Sequence, residues 1–258
     1  MNYNDEKNFI INEIKRSYEK LVTKEFIISQ KSQFDLVTDI DLKIEKTLTD
    51  AINNRYPDDL IVGEELSFDE KITGRVWTID PIDGTCNMAR DIKLFGVQCS
   101  LIENGEIVLG VIYLPNYQEV IYAIKNQGCF LNERRVFVKE VELNNSIVSF
   151  GDYSHKYKEL ATLQHSSIQY LYPLISKIRM FGAACIDFSN VALGRTDGCV
   201  VLTDNLWDIC PGIIICKEAK AIVTNLKGKE YRIGDCGVIV ATSNQLSNLL
   251  LSSIKNRN

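Results

Sequence analysis

The sequence has few of the residues from which zinc sites are built. Its 258 residues include only two histidines, His155 and His165, and its eight cysteines are scattered without a Cys-x-x-Cys pair. Structural zinc sites are assembled from such groups at short spacings, so we expect no zinc centre. We expect most cysteines to be small buried residues that stay reduced, and both histidines to lie on the surface without a catalytic role.

Long apolar runs are also missing. The longest, residues 107–114, contains Gly110 and is far shorter than the run of about 20 residues that spans a bilayer, so it is predicted to be a strand. The first nine residues mix acidic groups with a lysine and lack the apolar segment of a signal peptide. We therefore expect a cytoplasmic protein without a membrane partner.

Neither sign of charge dominates the sequence. Lysine and arginine number 29, aspartate and glutamate number 34, and the net charge is -5. Both signs are interspersed, which argues against disorder and against a nucleic-acid-binding arm. Hydrophobic residues make up 45% of the chain, enough for a sizeable core. We predict a single domain over residues 1–258, with an N-terminal α+β half to about residue 145 and a C-terminal α/β half from about 146 to 258.

The N-terminal half begins with helical patterns and continues with strands. Residues 5–24 carry apolar residues at helical spacing, and Thr38 with Asp41 forms a capping box that begins a second helix. Between residues 60 and 148 the pattern changes to short β-branched runs that turn residues separate. We predict an antiparallel sheet there, with a hairpin turn at residues 103–105.

The C-terminal half alternates between the two kinds of element, which is typical of an α/β fold. Helices are predicted near residues 155–171, 184–193, 208–220 and 244–255. Strands are predicted near residues 177–181, 198–202, 221–225 and 237–241.

The most informative segment follows an apolar strand and reads Asp80-Pro81-Ile82-Asp83-Gly84-Thr85. Two carboxylates this close repel each other unless a cation lies between them, and shared oxygen coordination of Mg²⁺ explains them best. Gly84 lets the backbone approach an anion, and the amides after it could open a helix that holds phosphate. The alternative is an ordinary Pro/Gly turn with solvated acids.

Two further acidic motifs favour a site over a turn. Gly63-Glu64-Glu65 follows an apolar run, and Trp207-Asp208 precedes a helical pattern. Glu64 could contribute to the first metal ion, and Asp208 could bind a second ion together with Asp80 and Asp83.

With Asp41, these motifs resemble the inositol monophosphatase family within the lithium-sensitive, Mg²⁺-dependent phosphomonoesterases. The resemblance covers nearly the whole chain, including residues 34–38 and 194–198. It implies an α/β (α+β) fold, layered as an αβαβα sandwich, and commonly a homodimer. The activity that it implies is hydrolysis of a small sugar, polyol or amino-alcohol phosphate.

The resemblance also implies a role for each motif residue. Glu64, Asp80 and the Ile82 carbonyl would hold one Mg²⁺ ion. Asp80, Asp83 and Asp208 would hold another, and a third ion would lie near Glu64, which therefore counts as catalytic as well. The amides of Gly84 and Thr85 would bind phosphate. The Thr85 hydroxyl and Asp41 would orient and deprotonate the attacking water, for in-line hydrolysis without a covalent intermediate.

One departure from the family bears on the substrate. Members that accept inositol phosphates resemble one another in a glutamate seven residues before the Trp-Asp aspartate, and Val201 stands there in this chain. An apolar side chain cannot accept hydrogen bonds from sugar hydroxyls, so inositol 1-phosphate is not expected as the natural substrate unless Thr203 or Asp204 substitutes. Arg179 and Ala183 are the other predicted pocket residues.

Two alternatives remain open, and the spacing of the aspartates argues against a third. The first is a bisphosphate phosphatase for fructose 1,6-bisphosphate or 3'-phosphoadenosine 5'-phosphate, with Arg179 or Lys177 meeting the second anionic group. The second is a catalytically silent relative that binds a phosphorylated metabolite. The complete set of metal ligands argues against it, because a silent relative could lose such ligands freely. The third is a haloacid-dehalogenase phosphatase, which needs two aspartates two residues apart near the chain start, whereas Asp80 and Asp83 are three apart and lie well inside the chain.

Overall fold

The computed structural model of this chain describes residues 2–22, 26–31, 33, 36–66, 72–153 and 157–255. Within them the helices are α1 (Asn4–Leu21), α2 (Asp39–Arg55), α3 (Thr85–Ala89), α4 (Lys158–Leu171), α5 (Ala184–Ala192), α6 (Leu206–Glu218) and α7 (Asn244–Lys255). The strands are β1 (Ile28–Gln30), β2 (Leu36–Thr38), β3 (Leu60–Gly63), β4 (Arg75–Asp83), β5 (Gly96–Glu103), β6 (Glu106–Leu114), β7 (Glu119–Ile124), β8 (Gly128–Leu131), β9 (Arg134–Val136), β10 (Ile147–Phe150), β11 (Lys177–Met180), β12 (Gly198–Val201), β13 (Ile222–Asn225) and β14 (Val238–Ala241).

The two N-terminal helices form as predicted. Helix α1 buries Ile10 and Ile14 on one face. Helix α2 begins at the predicted capping box, in which the Thr38 amide donates to Asp41 Oδ2 (2.9 Å) and the Asp41 amide donates to Thr38 Oγ1 (3.4 Å). The box satisfies amides that a helix start leaves unpaired, and it fixes Asp41 in the first turn.

The larger sheet has seven strands in the order β3-β4-β5-β6-β7-β8-β9. Neighbours from β4 to β9 are antiparallel, as predicted for this region, and Asn104 and Gly105 form the β5–β6 turn with positive φ angles of 52° and 79°. Strands β8 and β9 themselves were not predicted. The prediction was wrong for β3, which pairs with β4 in parallel. A parallel pair needs a long crossover instead of a tight turn, and residues 64–74 separate these two strands.

The smaller sheet has five strands in the order β11-β10-β12-β14-β13. Strand β10 pairs in parallel with β11 and β12, whereas β14 pairs antiparallel with β12 and β13. The sequence pattern assigned β10 to the antiparallel region, and that assignment was wrong. The predicted alternation of helices and strands in this half agrees with the structure to within a few residues.

The elements stack in five layers. Helices α1 and α2 cover one face of the larger sheet. Helices α5 and α6 lie between the two sheets, where their apolar residues share one core with both. Helices α4 and α7 cover the outer face of the smaller sheet. The predicted αβαβα sandwich is therefore confirmed.

Helix α6 is packed closely on both sides. A Cβ atom on Gly212 would lie 2.1 Å from Phe188 Cγ of α5, and one on Gly110 of β6 would lie 2.7 Å from the Pro211 carbonyl oxygen. At its C-terminal end the Glu218 carboxylate accepts hydrogen bonds from the amides of Asn126 (2.7 Å) and Gly128 (2.8 Å). These contacts fix α6, and with it Asp208, relative to the larger sheet.

Most cysteines are buried, as predicted. Six of the eight cysteines are buried, and Cys86 and Cys236 are exposed. His165 is exposed on α4, and His155 lies outside the described residues. In the part of the chain that the structure describes, none of the helices is both long and apolar enough to cross a membrane.

Candidate active site

The Asp-Pro-Ile-Asp-Gly-Thr motif lies where β4 meets α3. Strand β4 continues to Asp83, because Asp80 pairs with Gln98 and Asp83 with Gly96 on β5, with an irregular register between them. Gly84 follows in the left-handed conformation at φ 93°. A side chain there would also lie 3.0 Å from the Leu94 carbonyl oxygen, so both the backbone conformation and the space require glycine.

Thr85 and Asp41 meet beside this turn. The Thr85 hydroxyl lies 2.8 Å from Asp41 Oδ1 and 2.9 Å from the Ile82 carbonyl oxygen. A hydroxyl has one proton, so it donates to one of these acceptors at a time. Burial raises the pKa of Asp41, and hydrogen bonds from Thr38 and Thr85 oppose that shift. The structure therefore brings together two residues that were predicted to act on the same water.

Four predicted carboxylates are close enough to influence one another. Burial raises the pKa of Asp80 strongly, and repulsion from Glu64, Asp83 and Asp208 raises it further. Burial also raises the pKa of Asp208, and repulsion from Asp83 and Glu64 raises it further, against the hydrogen bond from Asn205. Burial raises the pKa of Glu64 to about 7 against the opposing charge of Lys31. The site thus concentrates acidic groups around the buried Asp80, while Glu64, Asp83 and Asp208 are partly exposed.

Most of these carboxylates have other partners. Asp83 accepts hydrogen bonds from the Cys185 amide and from the Ala184 amide (3.2 Å) at the start of α5. Glu64 pairs with Lys31 Nζ at 3.2 Å, and Asp208 accepts from Asn205 Nδ2 at 3.0 Å. Within the described ranges, no group of three or more His, Cys, Asp and Glu side chains is arranged to hold a metal ion as it stands.

Asp80 differs from its neighbours. It is 1% exposed, and among the described residues its Oδ1 atom has no hydrogen-bond partner. A buried oxygen without a partner is unfavourable, and a carboxylate oxygen of this kind is a suitable ligand for a hard divalent cation. The chemistry of the donors therefore fits Mg²⁺, although the side chains of Glu64 and Asp83 face other groups.

Glu45 holds the loop that carries Glu64. Its buried carboxylate accepts hydrogen bonds from the amides of Glu65 (2.9 Å) and Leu66 (2.7 Å). A Cβ atom on Gly63 would lie 2.0 Å from Glu45 Oε1. The Gly-Glu-Glu motif therefore needs its glycine for close approach to this carboxylate.

The predicted pocket residues are distributed unevenly. Ala183 lies against Gly84, with its Cβ 3.0 Å from where a Gly84 Cβ would stand. Val201 is buried at the end of β12. Arg179 lies on the edge strand β11 and donates to the Ile178 carbonyl oxygen at 2.9 Å. The structure places Ala183 beside the turn at Gly84, and the substrate roles of all three residues stay predictions.

Sequence reasoning missed three residues near the site. Lys31 pairs with Glu64 and Glu65, and Gln98 reaches the Asp80 and Asp83 carboxylates. Asp187 is fully buried on α5, where burial raises its pKa to about 8 and the charge of Asp83 adds to the shift, against the nearby Ser149 hydroxyl. A single polar residue inside an apolar run is a signal in the sequence that could have identified Gln98 and Asp187. It does not reveal which residues they contact.

Comparison with known proteins decides the family. The model of the inositol monophosphatase family matches residues 6–258. The chain belongs to this family. This family member is 35% identical over 208 residues to a fructose-1,6-bisphosphatase/inositol-1-monophosphatase of Thermotoga maritima, which covers 79% of the chain and 77% of that relative. It is also 34% identical over 230 residues to the Nus factor SuhB of Xylella fastidiosa, covering 88% of the chain and 82% of that protein.

The fold comparison agrees with the family. A solved Thermotoga maritima IMPase superposes on this inositol monophosphatase family member with a TM-score of 0.85 and 29% identity, over 97% of the chain and 98% of that structure. The family resemblance inferred from the motifs is confirmed, and the protein is a phosphatase of this family.

Proposed function

We propose that this phosphatase hydrolyses a small sugar, polyol or amino-alcohol phosphate with the help of Mg²⁺ and without a covalent intermediate. The observation that carries the proposal is the cluster of carboxylates around the buried Asp80, whose Oδ1 has no partner among the described residues, next to the Thr85–Asp41 hydrogen bond. Acids clustered around a buried carboxylate are unfavourable in their ionised form without compensating positive charge.

The residues that would hold the cations follow from the donors. Glu64, Asp80 and the Ile82 carbonyl form one proposed set, and Asp80, Asp83 and Asp208 form a second. We propose two or three Mg²⁺ ions in total. Such ions lower the pKa of a coordinated water and neutralise charge on the leaving oxygen.

The chain's own groups would orient the reactants. Gly84 is the N-cap of α3 in the left-handed conformation, without a side chain to cap the helix. The first amides of a helix lack helical partners, and such amides bind phosphate oxygens. The Thr85 hydroxyl would hold the attacking water, and its own proton can pass to Asp41 Oδ1 over the 2.8 Å hydrogen bond. The raised pKa of Asp41 suits a residue that accepts a proton during the reaction.

The substrate class has two candidates. The apolar Val201 supports a substrate other than inositol 1-phosphate. Asp204, in the loop before α6, would accept hydrogen bonds from substrate hydroxyls, and it accepts one from the Tyr157 hydroxyl at 3.2 Å. A bisphosphate phosphatase is the second candidate, favoured by the dual name of the Thermotoga maritima relative. From the family we also infer a homodimer that lithium inhibits and that binds a phosphorylated metabolite. From the interspersed charges and the short apolar runs we infer a cytoplasmic protein without a nucleic-acid or membrane partner.

The test compares Asp80→Asn with wild type and with Asp58→Asn, a control on the exposed surface. Phosphate release is measured from sugar phosphates, inositol phosphates, histidinol phosphate, fructose 1,6-bisphosphate and phosphoadenosine nucleotides, with and without Mg²⁺ and lithium. We expect Asp80→Asn to lose Mg²⁺-dependent activity and keep its circular dichroism spectrum, while Asp58→Asn behaves as wild type.

Wild-type turnover in Asp80→Asn would overturn the proposed site. Trapping of an aspartyl-phosphate at Asp80 would instead indicate haloacid-dehalogenase chemistry. No release by the wild type from any compound would favour a silent phosphometabolite-binding relative.

A further inference from the structure

Gln98 contacts three of the clustered acidic residues. It is a fully buried residue of β5 and stands directly opposite Asp80 of β4 in the sheet register. Its Nε2 atom is 3.2 Å from Asp83 Oδ2, 3.3 Å from the Asp208 carbonyl oxygen and 3.5 Å from Asp80 Oδ2. One side-chain amide therefore contacts three residues that come from two different elements.

The orientation of this amide is fixed by charge. Gln98 Nε2 has two protons and all its neighbours on that side are acceptors. In the part of the chain that the structure describes, Gln98 Oε1 has no partner although it is buried. If the side-chain amide were flipped, Oε1 instead of Nε2 would face the Asp83 carboxylate, and the two acceptor oxygens would repel each other. The acids therefore hold the NH₂ group toward themselves and leave the amide oxygen unpaired.

The hydrogen bonds of Gln98 leave one side of the site free. They engage the Oδ2 atoms of Asp80 and Asp83, whereas Asp80 Oδ1 is the oxygen without a partner among the described residues. The bond to the Asp208 carbonyl oxygen ties the first turn of α6 to the sheet. Groups that hydrogen-bond to metal ligands orient them and are often worth 10–100-fold in metal affinity.

We propose that Gln98 is a positioning residue of the cation site, which orients Asp80, Asp83 and the start of α6 so that Asp80 Oδ1 faces the cation. This inference rests on the proposed function, since it concerns the same cation site. It assigns Gln98 no contact with the substrate. Removing its amide should therefore act on cation affinity and leave substrate recognition nearly unchanged.

The decisive variant is Gln98→Met, which keeps the length of the side chain and removes the donor. Gln164→Met is the matched control, because Gln164 is 1% exposed and its Nε2 donates to the Gly151 carbonyl oxygen at 2.7 Å, away from the carboxylates. Mg²⁺ binding is measured on the whole protein by isothermal titration calorimetry. We expect Gln98→Met to weaken binding by about 10–100-fold, and Gln164→Met to bind as wild type.

Kinetics give a second readout. We expect the Mg²⁺ concentration for half-maximal rate to rise in Gln98→Met, the substrate KM to change little, and kcat to recover at saturating Mg²⁺. If Gln98→Met does not fold, Gln98→Asn keeps a smaller amide that cannot reach the three acceptors, and we expect it to weaken Mg²⁺ binding as well.

The outcomes separate the two proposals. A folded Gln98 variant that binds Mg²⁺ as tightly as wild type overturns the role of Gln98 and leaves the proposed function intact. An equal loss in Gln164→Met also overturns it, because the effect would then be one of general stability. A wild-type protein that neither binds Mg²⁺ nor releases phosphate overturns the proposed function and this inference together.

Discussion

The Thr85 hydroxyl donates a 2.8 Å hydrogen bond to Asp41 Oδ1, a residue that lies 44 positions earlier in the chain. The other oxygen of the same carboxylate accepts from the Thr38 amide and caps α2. Asp41 therefore joins the start of α2 to the turn at Gly84 and Thr85. Any change of Asp41 removes a helix cap and a hydrogen-bond acceptor together, so Thr85 is the cleaner position at which to test the pair.

Replacing Thr85 with valine should reduce turnover without unfolding the protein. Valine keeps the shape of the side chain and removes the hydroxyl, so positioning and proton transfer are lost. We expect kcat to fall about 10²–10⁴-fold, measured on the substrate that gives the highest wild-type rate. Thr47→Val is the control, because Thr47 Oγ1 donates to the Lys43 carbonyl oxygen on the exposed side of α2. A Thr85→Val rate within twofold of wild type would contradict the proposed role.

Asp187 should make the protein less stable as the pH rises. Its pKa is raised from 3.8 to about 8 in the folded state, so folding favours the protonated form. The stabilising contribution is complete below about pH 4 and is lost as the pH rises toward 8, at up to about 1.4 kcal/mol per pH unit. Asp187→Asn resembles the protonated acid and should remove this slope, as measured by urea unfolding in EDTA from pH 5 to 8.

The comparison for Asp187 is the difference between variant and wild type, because the other buried acids contribute in the same direction. Asp58→Asn, on the exposed surface, serves as the control and should keep the wild-type pH dependence. Identical slopes in Asp187→Asn and wild type would show that Asp187 is ionised in the folded protein at neutral pH.

Mg²⁺ should stabilise the folded protein, and more strongly at pH 8 than at pH 6. Protons compete with the cation for acids whose pKa is raised, and the pKa of Glu64 reaches about 7. A concentration 100-fold above Kd contributes about 2.7 kcal/mol, which corresponds to a rise in melting temperature on the order of 5 °C for a chain of this size. Differential scanning calorimetry with K⁺ at equal ionic strength as control measures it. A larger shift at pH 6 would contradict this mechanism.

Gly212→Ala should destabilise the contact between α5 and α6. The added methyl group would lie 2.1 Å from Phe188 Cγ, and overpacking of this kind typically costs about 1–3 kcal/mol, more than the roughly 1 kcal/mol by which alanine favours a helix. Gly151→Ala, outside any helix, is a control for the added methyl group alone, since that group would lie 3.7 Å from Val201 Cγ1. Chemical unfolding of both variants provides the measurement, and equal stability would show that Phe188 can move aside.

Local signals made part of the fold predictable. The capping box at Thr38 and Asp41 and the turn at Asn104 and Gly105 depend on residues a few positions apart, and both form as expected. The β8–β9 hairpin was missed because its turn uses Asn132 with φ 44° and a glutamate beside it with φ 68°, whereas two-residue hairpin turns favour glycine. The parallel β3–β4 pair depends on a crossover that no short pattern encodes.

The site divides in the same way. Asp80 and Asp83 stand out in the sequence because they share one motif. Gln98 approaches them only because the β4–β5 register places it opposite Asp80, and Lys31 reaches Glu64 from 33 residues away. Such contacts depend on tertiary structure. The single domain over residues 1–258 stays a prediction, and we expect one calorimetric unfolding transition for the whole chain.

The contacts of helix α6 limit which chimeras of this protein and its relatives can be active. It carries Asp208 in its first turn and fastens Glu218 to the β7–β8 turn at its last. In a chimera that takes residues 146–258 from another family member, the larger sheet would pack against an α6 of different sequence, which also carries the aspartate. Recombination at this boundary is therefore expected to inactivate the hybrid unless the residues that face α6 are transferred with it.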